Sequence, residues 1–342
     1  MGQVEHRAAE GPSSLSVTSA MAEFVAARRA GKPSPHTVAA YDRDLRAVAE
    51  CVAGVLGREP EEIGVAELAT GVMRRAFAEF AASRAASSVL RAWSTWNQFF
   101  GFLVSEGAVH GNPMAGVTRP RVQRSEPKPL VGEDTPERLL EAVAAGCRRA
   151  RDPWPERDVA VVALALVTGL RSAELLELRV DSLCGRPGER RLRVVGKGER
   201  VRWVPVEAPM EALLEAYLTS RQQRFGVVVQ GADPLLVDRR GNALRRGGLQ
   251  YLVQQCYRHA GVNDRVTKGA LVHALRHTFA TRLAEDGASV TEIMRLLGHS
   301  SVVSAQAYIG VTAQAQRAAA GVNRTYGVVR RVAGRSDGSV RE

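Results

Sequence analysis

The chain has 342 residues, 45% of them apolar, and carries 47 Lys plus Arg against 36 Asp plus Glu. That length exceeds one compact core and favours two domains of unequal size. A net charge of +11 and an isoelectric point near 10.1 favour a polyanionic partner, with DNA, RNA and an anionic membrane surface all open at this point. Cys51, Cys147, Cys184 and Cys256 lie far apart, with no CxxC pair and no histidine at metal spacing. That spacing argues against a zinc site or a disulfide framework, so no metal is expected. The opening MGQVEHRAAEG lacks a secretory apolar stretch, and the longest apolar run, Val159 to Val167, is too short for a bilayer. A cytoplasmic protein without a membrane segment is the expectation.

Residues 1–15 are small and polar and read as a flexible leader. Ser34 and Pro35 form an N-cap with proline at the first helical position; Val38, Tyr41, Leu45, Val48 and Val52 then recur at helical spacing towards Gly57. A second helix over 88–107 carries Leu90, Trp93, Trp96, Phe100 and Leu103, aromatics whose ordinary role is core packing. Between Asn112 and Gly132 the pattern breaks into Asn-Pro, Arg-Pro and Lys-Pro steps, which keep the preceding residue out of the helical region. This linker bears Arg119, Arg121, Arg124 and Lys128 against Glu126, an extended basic segment suited to a phosphate backbone.

Beyond it the pattern is mixed. Helices are expected over 136–149, 158–167 and 172–178. A β-hairpin follows, with Leu192 and Val194 alternating against Arg191 and Arg193 on one arm. On the other, Val201 and Trp203 alternate against Arg200 and Arg202, and the arms join through Gly196-Lys197-Gly198. Further helices are expected over 209–224, 246–260, 273–285 and 290–297, then a short one running to Tyr308.

Four short motifs and a tyrosine carry chemistry. His273-Ala-Leu-Arg276 places an imidazole and a guanidinium on one helical face, a poor mutual pair that suits a shared anion. In Thr168-Gly-Leu-Arg171-Ser-Ala-Glu174 an arginine emerges at a helix N-terminus, where backbone N–H groups also favour an anion, and Glu174 can orient it. Lys197, between glycines at a hairpin tip, can reach a phosphate or a leaving oxygen. Leu297-Gly-His299-Ser closes a capped helix, and Tyr308 comes nine residues later. Each has an ordinary structural reading alone: a surface ion pair, a solubilising lysine, a packed tyrosine.

In this order, TGLR, GKG, HALRHTFAT, LGHSS and the tyrosine resemble the tyrosine recombinase (phage integrase) superfamily over residues 16–320. The resemblance implies a mainly α protein with a small β-hairpin or sheet. An N-terminal helical, SAM-like core-binding domain would span 16–115, a basic linker 116–132, an α+β catalytic domain 133–320 and a tail 321–342. It implies that Arg171 and Arg276 grip the scissile phosphate, assisted by His273 and His299 and supported by Glu174. Lys197 protonates the leaving 5′ oxygen and Tyr308 is the nucleophile. Such chemistry needs no cofactor, because the phosphotyrosine keeps the energy of the broken bond.

Arg119, Arg121, Arg124, Lys128, Arg191, Arg193, Arg200 and Arg202, with Arg190, would contact DNA phosphates. The partner would be a double-stranded recombination site held by a tetramer, of one chain or with a paralogue, working through a Holliday junction. No large arm-site domain is expected before residue 16. Alternatives are a catalytically silent DNA-binding factor and a type IB topoisomerase, which lacks the separate helical domain. Tyr326 has no such context and serves as the control tyrosine.

Overall fold

The computed structural model describes residues 15–31, 35–122, 126–196 and 198–298. They fall into two compact units that divide between residues 125 and 126.

The first unit is helical: α1 (Val17–Ala30), α2 (Pro35–Leu56), α3 (Thr70–Ala82) and α4 (Ala86–Ser105). The Ser16 hydroxyl accepts from the Ser19 amide at 3.2 Å and starts α1. The inward stripe of α4 is Val89, Ala92, Trp96, Phe99, Phe100 and Leu103. Phe99 takes a place the sequence pattern gives to half-buried Leu90 and Trp93. Edge-on contacts of Phe24 with Tyr41, Phe99 and Phe102 join α1, α2 and α4. Trp96, Phe99 and Phe100 are fully buried, each stabilising by about 1.5–3 kcal/mol on apolar area alone. The segment read as linker is anchored here at its start. Asn112 caps a 3-10 turn over Pro113–Gly116, and the Val117 carbonyl accepts from Trp93 Nε1 at 3.0 Å.

The second unit packs around α6 (Pro155–Thr168), which is buried on nearly every face. Such all-round burial marks the centre of a domain. Around it lie α5 (Thr135–Ala144), α7 (Ser172–Glu177), α8 (Ala208–Phe225), α9 (Arg246–His259), α10 (Leu271–Glu285) and α11 (Val290–Leu297). The α5 helix ends five residues before the expected stop, released by Gly146 at φ 71°. The far end of the linker is also anchored, since the Leu130 amide donates to Thr278 Oγ1 at 2.9 Å.

The hairpin is part of a three-stranded antiparallel sheet of β1 (Leu183–Cys184), β2 (Arg191–Val195) and β3 (Val201–Pro205), in that order. Pairing sets Leu192 opposite Val204 and Val194 opposite Arg202. Residues opposite one another share a face, so Arg202, expected among the phosphate contacts, stands on the inner side of the second arm. Val201 and Trp203 are exposed, and Arg202 and Val204 turn inward.

Among the described residues no helix is long and apolar enough to cross a membrane.

Candidate active site

The α6 helix ends at Gly169, in the left-handed region at φ 58°. A Cβ there would overlap the Phe279 ring and come within 2.8 Å of Leu297 Cδ2, so conformation and space both require glycine. Two residues later Arg171 caps α7. Its amide donates to Glu174 Oε2 at 2.8 Å, its Nη1 to Glu174 Oε1 at 2.8 Å, and its Nη2 to the Gly298 carbonyl at 3.1 Å. A guanidinium has about five N–H donors, so Arg171 is held by two of them and keeps others for a ligand.

Arg276, on α10, is 3% exposed. Its Nη1 donates to the Gly169 carbonyl and its Nη2 to the Leu297 carbonyl at 2.9 Å. Those carbonyls stand at the C-terminal ends of α6 and α11, where the helix dipole favours a cation. The fold thus holds a buried guanidinium between two helix ends.

His273, one turn before Arg276, is partly open to solvent. Desolvation first, then the Arg276, Arg171 and Arg246 charges, hold its imidazole below the usual range. It is therefore neutral near pH 7, with one ring nitrogen able to accept a proton. One turn on, the His277 ring lies 5.7 Å from that of His273, centroid to centroid. Burial, then His273, Arg276 and Lys128, push its pKa down to about 4.

Glu174 binds these parts to the sheet. Arg202 Nη1 and Nη2 donate to its two oxygens at 2.8 Å each, and Arg202 Nε donates to the Leu296 carbonyl at 3.0 Å. Burial raises the carboxyl pKa, but hydrogen bonds from Arg202 and the Arg171 amide, with the charge of Arg202, outweigh it and bring the value to about 2. Gly298, at φ 63°, packs so closely that a Cβ would meet Arg202 Nη1 at 2.8 Å. One carboxylate therefore links the arginine of the TGLR turn, the hairpin and the end of α11.

Of the expected site residues, the structure brings together Arg171, Glu174, His273 and Arg276. Lys197, His299 and Tyr308 lie outside the described residues, as does Arg124. Among the expected DNA contacts, Arg119, Arg121, Lys128, Arg191, Arg193 and Arg200 are exposed. Arg119 and Arg191 lie over the rings of Trp93 and Trp203.

Two others depart from expectation. Arg202 faces inward onto Glu174, because strand pairing places it beside buried Val194. Arg190 pairs with Glu215 at 3.1 Å and lies 3.8 Å from Glu211. The sequence reading missed Arg202 as a support and His277 altogether. The first was available from the hairpin register, the second from its four-residue spacing to His273.

The model of the phage integrase family matches residues 131–315, and that of the phage integrase N-terminal SAM-like domain matches residues 17–107. The chain belongs to the phage integrase family. Its enzyme class follows, that of tyrosine-type site-specific recombinases, and the resemblance read from the motifs holds.

Tyrosine recombinase XerC of Erythrobacter litoralis (strain HTCC2594) is 33% identical over 326 residues, covering 93% of this chain and 95% of that protein. Tyrosine recombinase XerD of Listeria monocytogenes serotype 4b (strain F2365) is 29% identical over 280 residues, covering 82% and 89%. The XerH site-specific recombinase bound to palindromic difH substrate, a post-cleavage complex, superimposes with a TM-score of 0.68 at 18% identity, covering 90% and 84%. A lambda integrase dimer bound to a COC′ core site gives 0.63 at 18% identity, covering 85% and 76%. These likenesses carry the fold, mainly α with a small sheet, as the sequence reading expects.

Proposed function

We propose that the protein cleaves and rejoins duplex DNA at a recombination site through a 3′-phosphotyrosine on Tyr308. The observation that carries this reading is the convergence of Arg171, oriented by Glu174 and the Gly298 carbonyl, and Arg276, oriented by the carbonyls of Gly169 and Leu297 at the ends of α6 and α11. Attack on a phosphodiester builds negative charge on its non-bridging oxygens. Donors already aimed at that charge stabilise it without reorganising.

In the proposed step the Tyr308 phenol oxygen bonds to phosphorus and the bond to the 5′ oxygen breaks. A phenol with a pKa of about 10 is a poor nucleophile at pH 7 unless a base accepts its proton. His273, held neutral, suits that role, with His299 on the phosphate. Lys197 gives a proton to the departing 5′ oxygen. Rejoining is the reverse, with a 5′ hydroxyl from the partner duplex. The scheme uses no metal or nucleotide, so adduct formation is expected to proceed unchanged in chelator.

Two such exchanges, staged through a Holliday junction in a tetramer of this chain or with a paralogue, complete recombination. Residues 16–115 would serve as the core-binding domain, 133–320 as the catalytic domain and 116–132 as the basic connection, acting on DNA in the cytoplasm. Relatives that are tyrosine recombinases, and solved recombinases bound to their DNA sites, support DNA as the partner.

The test begins by selecting, from a random duplex pool, the DNA bound by the Tyr308→Phe protein. A nicked suicide substrate of that sequence should trap wild type and Tyr326→Phe as covalent 3′ adducts and leave Tyr308→Phe free. Wild type that binds the selected site but never forms an adduct would be a silent DNA-binding factor, and the reading would fail.

A further inference from the structure

The α10 helix carries a second histidine that the scheme above does not use. His273 and His277 stand four residues apart, on one face of the helix. Their rings lie 5.7 Å apart, centroid to centroid, and are tilted by 47°, the separation of aromatic side chains in contact. His273 is exposed and His277 is half-buried, so the His277 ring lies on the inward side of its neighbour. The helix is pinned on both sides of His277. Arg276 Nη2 donates to the Leu297 carbonyl at 2.9 Å. Thr278 Oγ1 donates to the Ala274 carbonyl at 2.8 Å and accepts from the Leu130 amide at 2.9 Å.

We propose that His277 is a positioning residue for His273: its ring covers the inner side of the His273 imidazole, fixes that ring beside Arg276 and withholds water from a proton placed on it. The inference rests on the proposed role of His273 as the base for Tyr308. An imidazolium needs its hydration more than a neutral imidazole does, so a ring held against it favours the neutral form. Desolvation is the largest cause that holds His273 below the usual range, ahead of the Arg276, Arg171 and Arg246 charges.

The cover suits this task because it stays uncharged. Cations bear on the pair from four segments: Arg276 on α10, Arg171 at the start of α7, Arg246 on α9 and Lys128 in the linker. The Glu174 carboxylate is turned onto Arg171 and Arg202, and the carbonyls that α6 and α11 present are taken by Arg276. Burial and the neighbouring charges leave His277 at about 4. Near neutral pH the two rings therefore share one proton at most, and it goes to His273. A lysine or arginine in place of His277 would add a positive charge one helical turn away and make His273 too weak a base. A small residue would leave the His273 ring free to turn and to be hydrated.

The test uses the full-length Tyr308→Phe protein with isotope-labelled histidine, titrated by NMR from about pH 5 to about pH 8. The chain has 7 histidines, few enough to resolve, and the His273 signal is the one missing from His273→Gln. With His277→Ala added, the His273 midpoint should rise by about half a unit or more, towards the ordinary value of about 6.5. With His277→Phe, which keeps a ring but no titrating group, the midpoint should stay where His277 holds it.

Single-turnover adduct formation, with Tyr308 intact, is followed over the same range of pH. A base works only when unprotonated, so the rate falls as the pH drops through the pKa of His273. His277→Ala should move that acid limb up in step with the NMR midpoint. A midpoint unmoved by alanine overturns the proposal. So does a phenylalanine variant that titrates like the alanine one, since cover is then not what His277 supplies. A midpoint that moves while the acid limb stays also overturns it, because His277 then shapes His273 without touching the reaction. If the alanine variant melts early, His277→Asn carries the test, its side chain being polar but too short to cover the His273 ring; the same rise is expected, and no rise overturns. Wild type that never forms an adduct rejects the recombinase reading, and the NMR titration alone then decides whether His277 covers His273.

Discussion

Two groups of arginines in the second unit carry the same charge in opposite settings. Arg171, Arg202 and Arg276 are tied to Glu174 and to carbonyls of Gly169, Leu296, Leu297 and Gly298. Arg149, Arg151, Arg239 and Arg240 line an open cleft between the loop before α6 and the loop before α9, exposed and with no ion pair among the described residues, although Asp152 in the same cleft feels the charge of Arg239. A guanidinium fixed by buried acceptors stabilises charge at one point and cannot follow a moving ligand. A free one adapts to any phosphate and distinguishes none. The first arrangement suits a transition state, the second ground-state binding of a polyanion.

The largest expected effect falls on the fixed group. On the proposed reading, Arg276→Ala should slow single-turnover adduct formation by about a thousandfold, the upper range for loss of one preorganised donor. Affinity for the uncleaved site should stay within about threefold. A loss of affinity equal to the loss of rate would break the comparison, since Arg276 would then be a binding arginine like those of the cleft. Arg276→Lys should not restore the rate, because an ammonium cannot span the Gly169 and Leu297 carbonyls together.

The next effect is on stability and separates two groups by pH. Glu174 is held at about 2 against an ordinary 4.5, so the folded state binds its proton less readily than the unfolded chain. The resulting stabilisation, on the order of 3 kcal/mol, is complete above about pH 4.5 and fades as the pH falls towards 2. His277 is held at about 4 against 6.5. For this base the unfolded chain takes up the proton first, so stability is lost earlier, as the pH falls from 6.5 to 4. Denaturant unfolding of wild type across this range should show both losses. Glu174→Gln should remove the lower one and His277→Gln the upper. A Glu174→Gln protein with the wild-type profile below pH 4.5 would mean that the carboxylate is not clamped.

The sequence made the helices and the motif order legible because both are local. Val38 to Val52 and Val159 to Val167 announce helices by spacing or continuous apolarity, and TGLR, HALR and LGH fix the family without any distance. What was not legible depends on which strand residue faces which. Arg200 and Arg202 alternate with Val201 and Trp203, so the apolar pair looks like the inner face. Pairing with β2 puts Arg202 inside, since its cost of burial is met by Glu174, a residue 28 positions away. The cleft was illegible for a similar reason. Arg148 to Arg151 and Arg239 to Arg245 are separate charge runs until the fold brings two loops together.

The smallest expected effect tests the arginine that changed sides. Arg202→Lys keeps the charge but gives up two parallel bonds to Glu174, since an ammonium is a compact point donor where a guanidinium is a planar fork. It also loses the reach to the Leu296 carbonyl. Charge repulsion around Arg171 stays as it was, so any change reports geometry. Adduct formation should slow by about tenfold, a cost of about 1.4 kcal/mol, while the salt slope for DNA binding stays at the wild-type value. The acid limb of the stability profile should also move up in pH, because a less tightly held Glu174 titrates closer to its ordinary value. If instead Arg202→Met makes the slope shallower by about 1, Arg202 reaches a phosphate and belongs with the free arginines. If neither rate nor profile moves with lysine, the tie between hairpin and TGLR turn does not set the geometry of the site, and the contrast narrows to Arg171 and Arg276.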